Sequence, residues 1–117
     1  MKNASSLYNS LPTQNTQIIF DDKFRNVMED HIPALLANGN TIIQSVDPAT
    51  AYEFSNDFYG LLDSLGVPWY MQWITLRVNG LSDPSDYTSD KTAIIIPPSA
   101  FINQLLNLYQ NVNSVVG

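Results

Sequence analysis

The chain has 117 residues, with 44% hydrophobic and only 14% charged, and eleven acidic against five basic side chains set the formal net charge at −6. That length supports one core, and that apolar content lets it fold, but the scattered Lys2, Lys23, Arg25, Arg77 and Lys91 form no cluster for phosphate and argue against nucleic acid. The lack of cysteine excludes disulfides and thiolate metal sites, and no apolar run approaches the roughly 18 residues of a membrane span.

In chain order, residues 1–20 read as a polar arm with apolar points at Leu7, Tyr8, Leu11, Ile18, Ile19 and Phe20. The first residues lack the apolar stretch of a secretory signal, so a soluble protein made in the cytosol is expected. Residues 21–40 form an N-terminal helix and turn. Asp21 or Asp22 caps the helix, Phe24, Val27, Met28 and either His31 or Ile32 mark its apolar face, and Pro33 stops or kinks it. Asn38-Gly39-Asn40 is a turn signal.

Residues 41–97 carry the organising pattern, strand, helix, helix, strand. Thr41–Val46 is β-rich and breaks at Asp47-Pro48, an N-cap followed by proline at the first helical position. Ala51, Phe54 and Phe58 then share a helical face that runs out near Tyr59-Gly60. A second helix holds Trp69, Tyr70, Trp73, Ile74 and Val78 and ends at Asn79-Gly80, which suits a left-handed cap. It is apolar around most of its circumference and should be the most buried element, with Trp73 in the core. A Ser, Asp and Pro-rich loop over Leu81–Lys91 leads to the strand Ala93–Ile96, closed by Pro97. Residues 98–117 form a C-terminal helix, capped by Ser99 and bearing Phe101, Ile102, Leu105, Leu106 and Tyr109, with a fraying tail from Asn111.

This middle section resembles a LysM-type module. A helix ends in Asn, an apolar residue and an Asp-Pro turn follow, and a short strand closes with Ile-Pro: here Val78-Asn79-Gly80-Leu81-Ser82-Asp83-Pro84 and Ile94-Ile95-Ile96-Pro97. Ala51 and Tyr59-Gly60 match an Ala and a Tyr-Gly pair in the family's first helix. The resemblance implies an α+β fold in which a two-stranded antiparallel sheet packs on two helices. The flank Asp22-Lys23-Phe24-Arg25-Asn26 is similar to a segment in the small LysM-domain baseplate wedge proteins of contractile-tailed bacteriophages. That likeness implies a non-enzymatic adaptor joining neighbouring tail, baseplate or neck proteins. Such proteins occur as several copies in a ring-like assembly of the virion and are synthesised in the host cytoplasm.

Under this reading the interface residues are Tyr8, Phe20, Phe101 and Tyr109, and no cofactor, metal or small-molecule substrate is expected. The alternative is a module binding N-acetylglucosamine polymers of peptidoglycan, with its groove at Asp47, Pro48, Leu81 and Ser82. Several departures lie in the sugar-lining loops. Asp47-Pro48-Ala49 replaces the usual Gly-Asp-Thr, and Lys91-Thr92-Ala93 lacks the usual glycine. His31, the lone histidine, reads as a capping or surface residue, and Asp83, Asp86 and Asp90 as turn formers rather than a calcium loop. Glu53 and Asp57, four residues apart, would form a carboxylate pair on one helix, without the surroundings of a hydrolytic site.

Overall fold

The computed structural model describes residues 21–116, with side chains as far as Tyr109. Tyr8 and Phe20 therefore lie outside the described residues. In chain order the elements are α1 (Asp22–Asp30), α2 (Ile32–Ala37), β1 (Ile42–Ser45), α3 (Pro48–Glu53), α4 (Phe58–Ser64), a 3₁₀ turn (Trp69–Met71) leading into α5 (Gln72–Val78), a 3₁₀ turn (Pro84–Asp86), β2 (Ala93–Ile96) and α6 (Ser99–Val116). The fold is α+β, with β1 and β2 paired antiparallel in the register Ile42 to Ile96 and Ser45 to Ala93.

Caps and turns set the element boundaries. Asp21 caps α1 by accepting from the Lys23 amide at 3.1 Å, and Pro33 sits in the first turn of α2, where its missing N–H costs nothing. Asp47 caps α3 through the Thr50 amide and hydroxyl, with Pro48 opening the helix. The single helix expected through Ala51, Phe54 and Phe58 is two helices. The chain breaks after Glu53, Asn56 takes a left-handed conformation with φ of 64°, and Asp57 starts α4 as its cap. Glu53 and Asp57 are thus on different helices and form no i, i+4 pair. Tyr59-Gly60 lies in the first turn of α4 instead of ending a helix. Gly60 has a specific reason to be there: a Cβ would fall 2.3 Å from Oδ2 of Asp57, the carboxylate that accepts the Gly60 amide at 3.0 Å.

Two left-handed glycines end α4 and α5 in the same way. Gly66 (φ 82°) and Gly80 (φ 80°) donate to the carbonyls of Asp63 and Arg77. The residues after them, Val67 and Leu81, donate to Leu62 and Leu76. This double bond is the Schellman arrangement, and both Val67 and Leu81 turn their side chains onto the core.

α5 is the centre of the packing, touching α1, α2, α4 and β2. Its residues Ile74, Thr75, Leu76 and Val78 are buried, as are Tyr70 and Met71 before it. Trp73 is only half-buried, a correction to its expected place in the core: its indole lies under the Arg25 guanidinium, 4.8 Å from the ring centroid. Phe24, Met28 and Leu35 from the N-terminal helices and Ile102, Leu105 and Leu106 from α6 belong to the same apolar cluster as the strand-helix-strand section. The flanks are therefore part of one core. Tyr87 anchors the long loop, fully buried against Phe58 with ring centroids 5.4 Å apart, while its hydroxyl donates to the Lys91 carbonyl. The C-terminal helix continues to Val116, past the point at which fraying was expected.

The tie between helix and sheet is Asn79. Its carboxamide Nδ2 donates to the Thr75 carbonyl at 2.7 Å and to the Ile95 carbonyl at 2.8 Å, and its Oδ1 accepts the Ile95 amide at 2.8 Å. Asn79→Ala should therefore leave both peptide groups of Ile95 without partners in a half-buried place and destabilise the fold by about 3 kcal/mol. Urea unfolding followed by tryptophan fluorescence measures this; an unchanged midpoint would show that water replaces the amide at no cost.

Candidate functional site

Five charged side chains gather in an open groove between α1 and α5, with a volume of about 820 Å³. Asp22, Arg25, Asn26, Glu29 and Asp30 line one side, Trp73 and Arg77 the other. The helical period explains the array: 22, 25, 26, 29 and 30 fall on one face of α1, opposite the buried Phe24 and Met28. Three of the five residues of the Asp-Lys-Phe-Arg-Asn segment thus reach this groove, and a fourth, Phe24, holds the helix down.

Arg77 organises the groove. Its Nε and Nη2 pair with the two oxygens of Glu29, and its Nη1 donates to the Leu81 carbonyl at 2.7 Å and weakly to Ser82 Oγ at 3.4 Å. One guanidinium thereby joins α1, the end of α5 and the following loop, a geometry that a lysine ammonium does not reproduce. The pair holds the Arg77 pKa above its ordinary value, through the Glu29 hydrogen bond first, with burial opposing it. Beyond this groove, burial raises the Tyr59 phenol, the nearby Arg25 lowers it, and Asp83 raises it again. The loop that carries Asp83 is fixed by a capping box. Asp83 accepts the Ser85 amide at 3.0 Å, and Asp86 accepts the Asp83 amide at 3.0 Å. The expectation that these aspartates shape a turn holds for both residues. Among the described residues no group of three His, Asp or Glu side chains is placed to hold a metal ion.

The expected interface and groove residues have specific positions. Phe101 is half-buried, its ring edge-on to His31 at 6.1 Å, and Tyr109 packs on Phe24 at 5.2 Å while donating its hydroxyl to Asp21 at 2.8 Å. Both help to fasten α6 along α1. His31 itself sits at the junction of α1 and α2, with Nδ1 2.8 Å from the Val27 carbonyl, as a capping histidine does. Asp47 and Pro48 open α3, and Asp47 lines a recess of about 440 Å³ with Glu53, Phe54 and Leu65. That recess does not include Leu81 or Ser82, which face Arg77. The two loops of the sugar-groove alternative are thus not brought to one recess.

Sequence reasoning missed two large apolar side chains that solvent reaches, Ile43 at 69% exposure and Leu108 at 63%. A signal for Ile43 was present, since two adjacent isoleucines in a strand necessarily point to opposite faces. No charged residue follows Lys91, so α6 and β2 meet their surroundings without a charge.

Comparison of the chain with family models, with curated proteins and with solved structures gave no match.

Two outcomes test the electrostatics. In a double-mutant cycle of Arg77→Met and Glu29→Gln, the coupling should be about 0.5–1 kcal/mol, modest because both side chains are about 30% exposed. A coupling of zero would mean that the pair is idle. The caps predict the acid limb. Hydroxyls of Tyr109, Thr50 and Ser85 are the leading cause that holds Asp21, Asp47 and Asp83 below the ordinary 3.8. Depressed folded pKa values stabilise above the unfolded value and lose that contribution as pH falls through the folded ones. Stability should thus be level through neutral pH and drop below about pH 4. Asp47→Asn, a cap that does not titrate, should make the drop shallower in urea midpoints measured against pH.

Proposed function

We propose that this chain is a non-enzymatic structural component of a bacteriophage virion. It is a LysM-like adaptor that joins neighbouring tail, baseplate or neck proteins, present in several copies in a ring-like assembly. The observation that carries this reading is the fusion of flanks and module. The LysM-like signature residues Asn79, Leu81 and Asp83-Pro84 are spent inside the fold on the β2 clamp, the helix end and the loop cap. The helices on both sides share its core. Such a body is a rigid spacer with recognition on its surfaces. Its low charge fits that role, because charges are depleted where proteins meet.

Peptidoglycan binding is the weaker reading, because Asp47 is engaged as a helix cap and Leu81 as a helix terminator, in separate places. A pull-down of the purified chain on insoluble peptidoglycan should show no specific retention. Quantitative mass spectrometry of gradient-purified particles, from a host producing the phage that carries this gene, should find it at a fixed multiple of a known ring protein. Absence from the particles, or retention on peptidoglycan that is lost on Asp47→Ala, would overturn the adaptor reading.

A further inference from the structure

Among the described residues, the small sheet has one edge closed at its middle and one open edge. On the closed side, Asn79 takes both peptide groups of Ile95. Ile95 stands opposite Ile43, and in an antiparallel ladder such pairs alternate between bonding each other and turning away. Since Ile95 turns away, Ile43 does too, and it directs its N–H and C=O outward from β1. Val46, three residues on and in the opposite phase, confirms this: its amide donates to the Thr92 carbonyl at 2.8 Å. Among the described residues no strand lies beyond β1. Among the described residues this edge is guarded by its four-residue length and by Gln44, whose Nε2 donates to the Ser45 carbonyl at 3.0 Å, and neither covers the outward groups of Ile43. Thr41–Ser45 contains no charge and no proline, and Ile42 and Ile43 are 52% and 69% exposed.

Beneath this edge, on the side toward the helices, lie two recesses separated by Leu65. The one near Ile42 has a volume of about 230 Å³ and is lined by Val67 and Ile96, with no charged residue. The other, of about 440 Å³, carries the carboxylates of Asp47 and Glu53 and no lysine or arginine.

We propose that the free edge of β1 is a strand-addition site for an extended segment of another protein, one that carries an aliphatic side chain and a lysine or arginine two residues apart. A residue placed opposite Ile43 exchanges two hydrogen bonds with its outward peptide groups. The residues on either side of it then send their side chains toward the helices, about 6.6–6.8 Å apart. The aliphatic one enters the Val67–Ile96 recess, and the cation meets Asp47 and Glu53. In the antiparallel orientation, the more stable per residue, the cation comes first in the added strand. The partner class rests on the adaptor reading above.

The probe is a fluorescein-labelled peptide, Val-Thr-Lys-Thr-Leu-Thr-Val, titrated with the full chain and followed by anisotropy. Saturable binding is expected, about tenfold weaker when the peptide's lysine is replaced by glutamate. Glu53→Lys in the chain should abolish that preference. Proline in place of the peptide's central threonine should remove binding, because it deletes the donor that faces Ile43. Ile43→Pro in the chain should do the same, and the peptide-side change covers the case in which that variant folds poorly. No binding up to about 1 mM, or equal binding of the proline peptide, would overturn the site. So would a dimer of the chain in sedimentation that Ile43→Pro dissolves, which would make a second copy the occupant. Tighter peptide binding after deletion of residues 1–20 would likewise assign the edge to the chain's own N-terminal segment.

The titration needs no virion, so the two readings fail separately. Peptide binding by a chain missing from particles overturns the adaptor reading alone. Normal incorporation of Ile43→Pro into particles overturns the edge site alone.

Discussion

A single carboxamide does the work of a third strand in this fold. Two strands of four residues make few hydrogen bonds, and such a ribbon is marginal by itself in water. Asn79 changes that by closing the far edge of β2 from the end of the most buried helix. The position is set by Gly80: its left-handed turn ends α5 where the Asn79 side chain meets Ile95. The same amide also donates back to Thr75, so its N–H groups are used on both sides. Burying an amide of this kind is unfavourable unless its hydrogen bonds are replaced, and here they are. Helix, turn and strand thus depend on one side chain for their mutual placement.

Around that tie, the chain uses local chemistry to stop and restart short helices. Asp47, Asp57 and Asp83 each begin a turn, and Gly66 and Gly80 each end one. Short helices have little stability of their own, so their persistence rests on burial of residues such as Phe58, Leu61, Leu62, Ile74 and Tyr87 in one core. A buried side chain of this size contributes on the order of 1.5–3 kcal/mol, more than any single surface pair in the molecule. The ion pair of Arg77 and Glu29 therefore orients α1 against α5 more than it stabilises them.

Much of this was legible in the sequence where residue type dictates backbone. Asp47-Pro48, Asn79-Gly80 and the Ile-rich closing strand have few conformations open to them, and a mixture of helices and strands follows from their order, whereas the antiparallel pairing was what the LysM resemblance implied. The helix through Ala51, Phe54 and Phe58 misled because apolar spacing is the same for one helix as for two that are collinear in sequence. The break depends on Asn56 adopting a left-handed turn, held by a bond from its amide to the Tyr87 carbonyl far along the chain. That bond has no local signature. Tyr87 was hidden for a similar reason, since a tyrosine in a polar loop is buried only when a distant ring such as Phe58 receives it. Trp73 was placed in the core by its stripe, although Arg25 from another helix gives it a partner at the surface. Of the candidate interface residues, Phe101 and Tyr109 pack within the chain, on His31 at the end of α1 and on Phe24 in it.

The Asn79 closure also limits how the molecule can grow. A ribbon with two bare edges is a template for unlimited stacking, since each added strand exposes another edge. Here the middle of one edge is blocked by a side chain from the same molecule, which takes the outward peptide groups of Ile95 that a newcomer would need. Any assembly through this sheet is one-sided, and two copies meeting edge to edge would seal each other. The asparagine is thus a chain terminator as well as a brace, and it favours closed complexes of fixed composition over fibres.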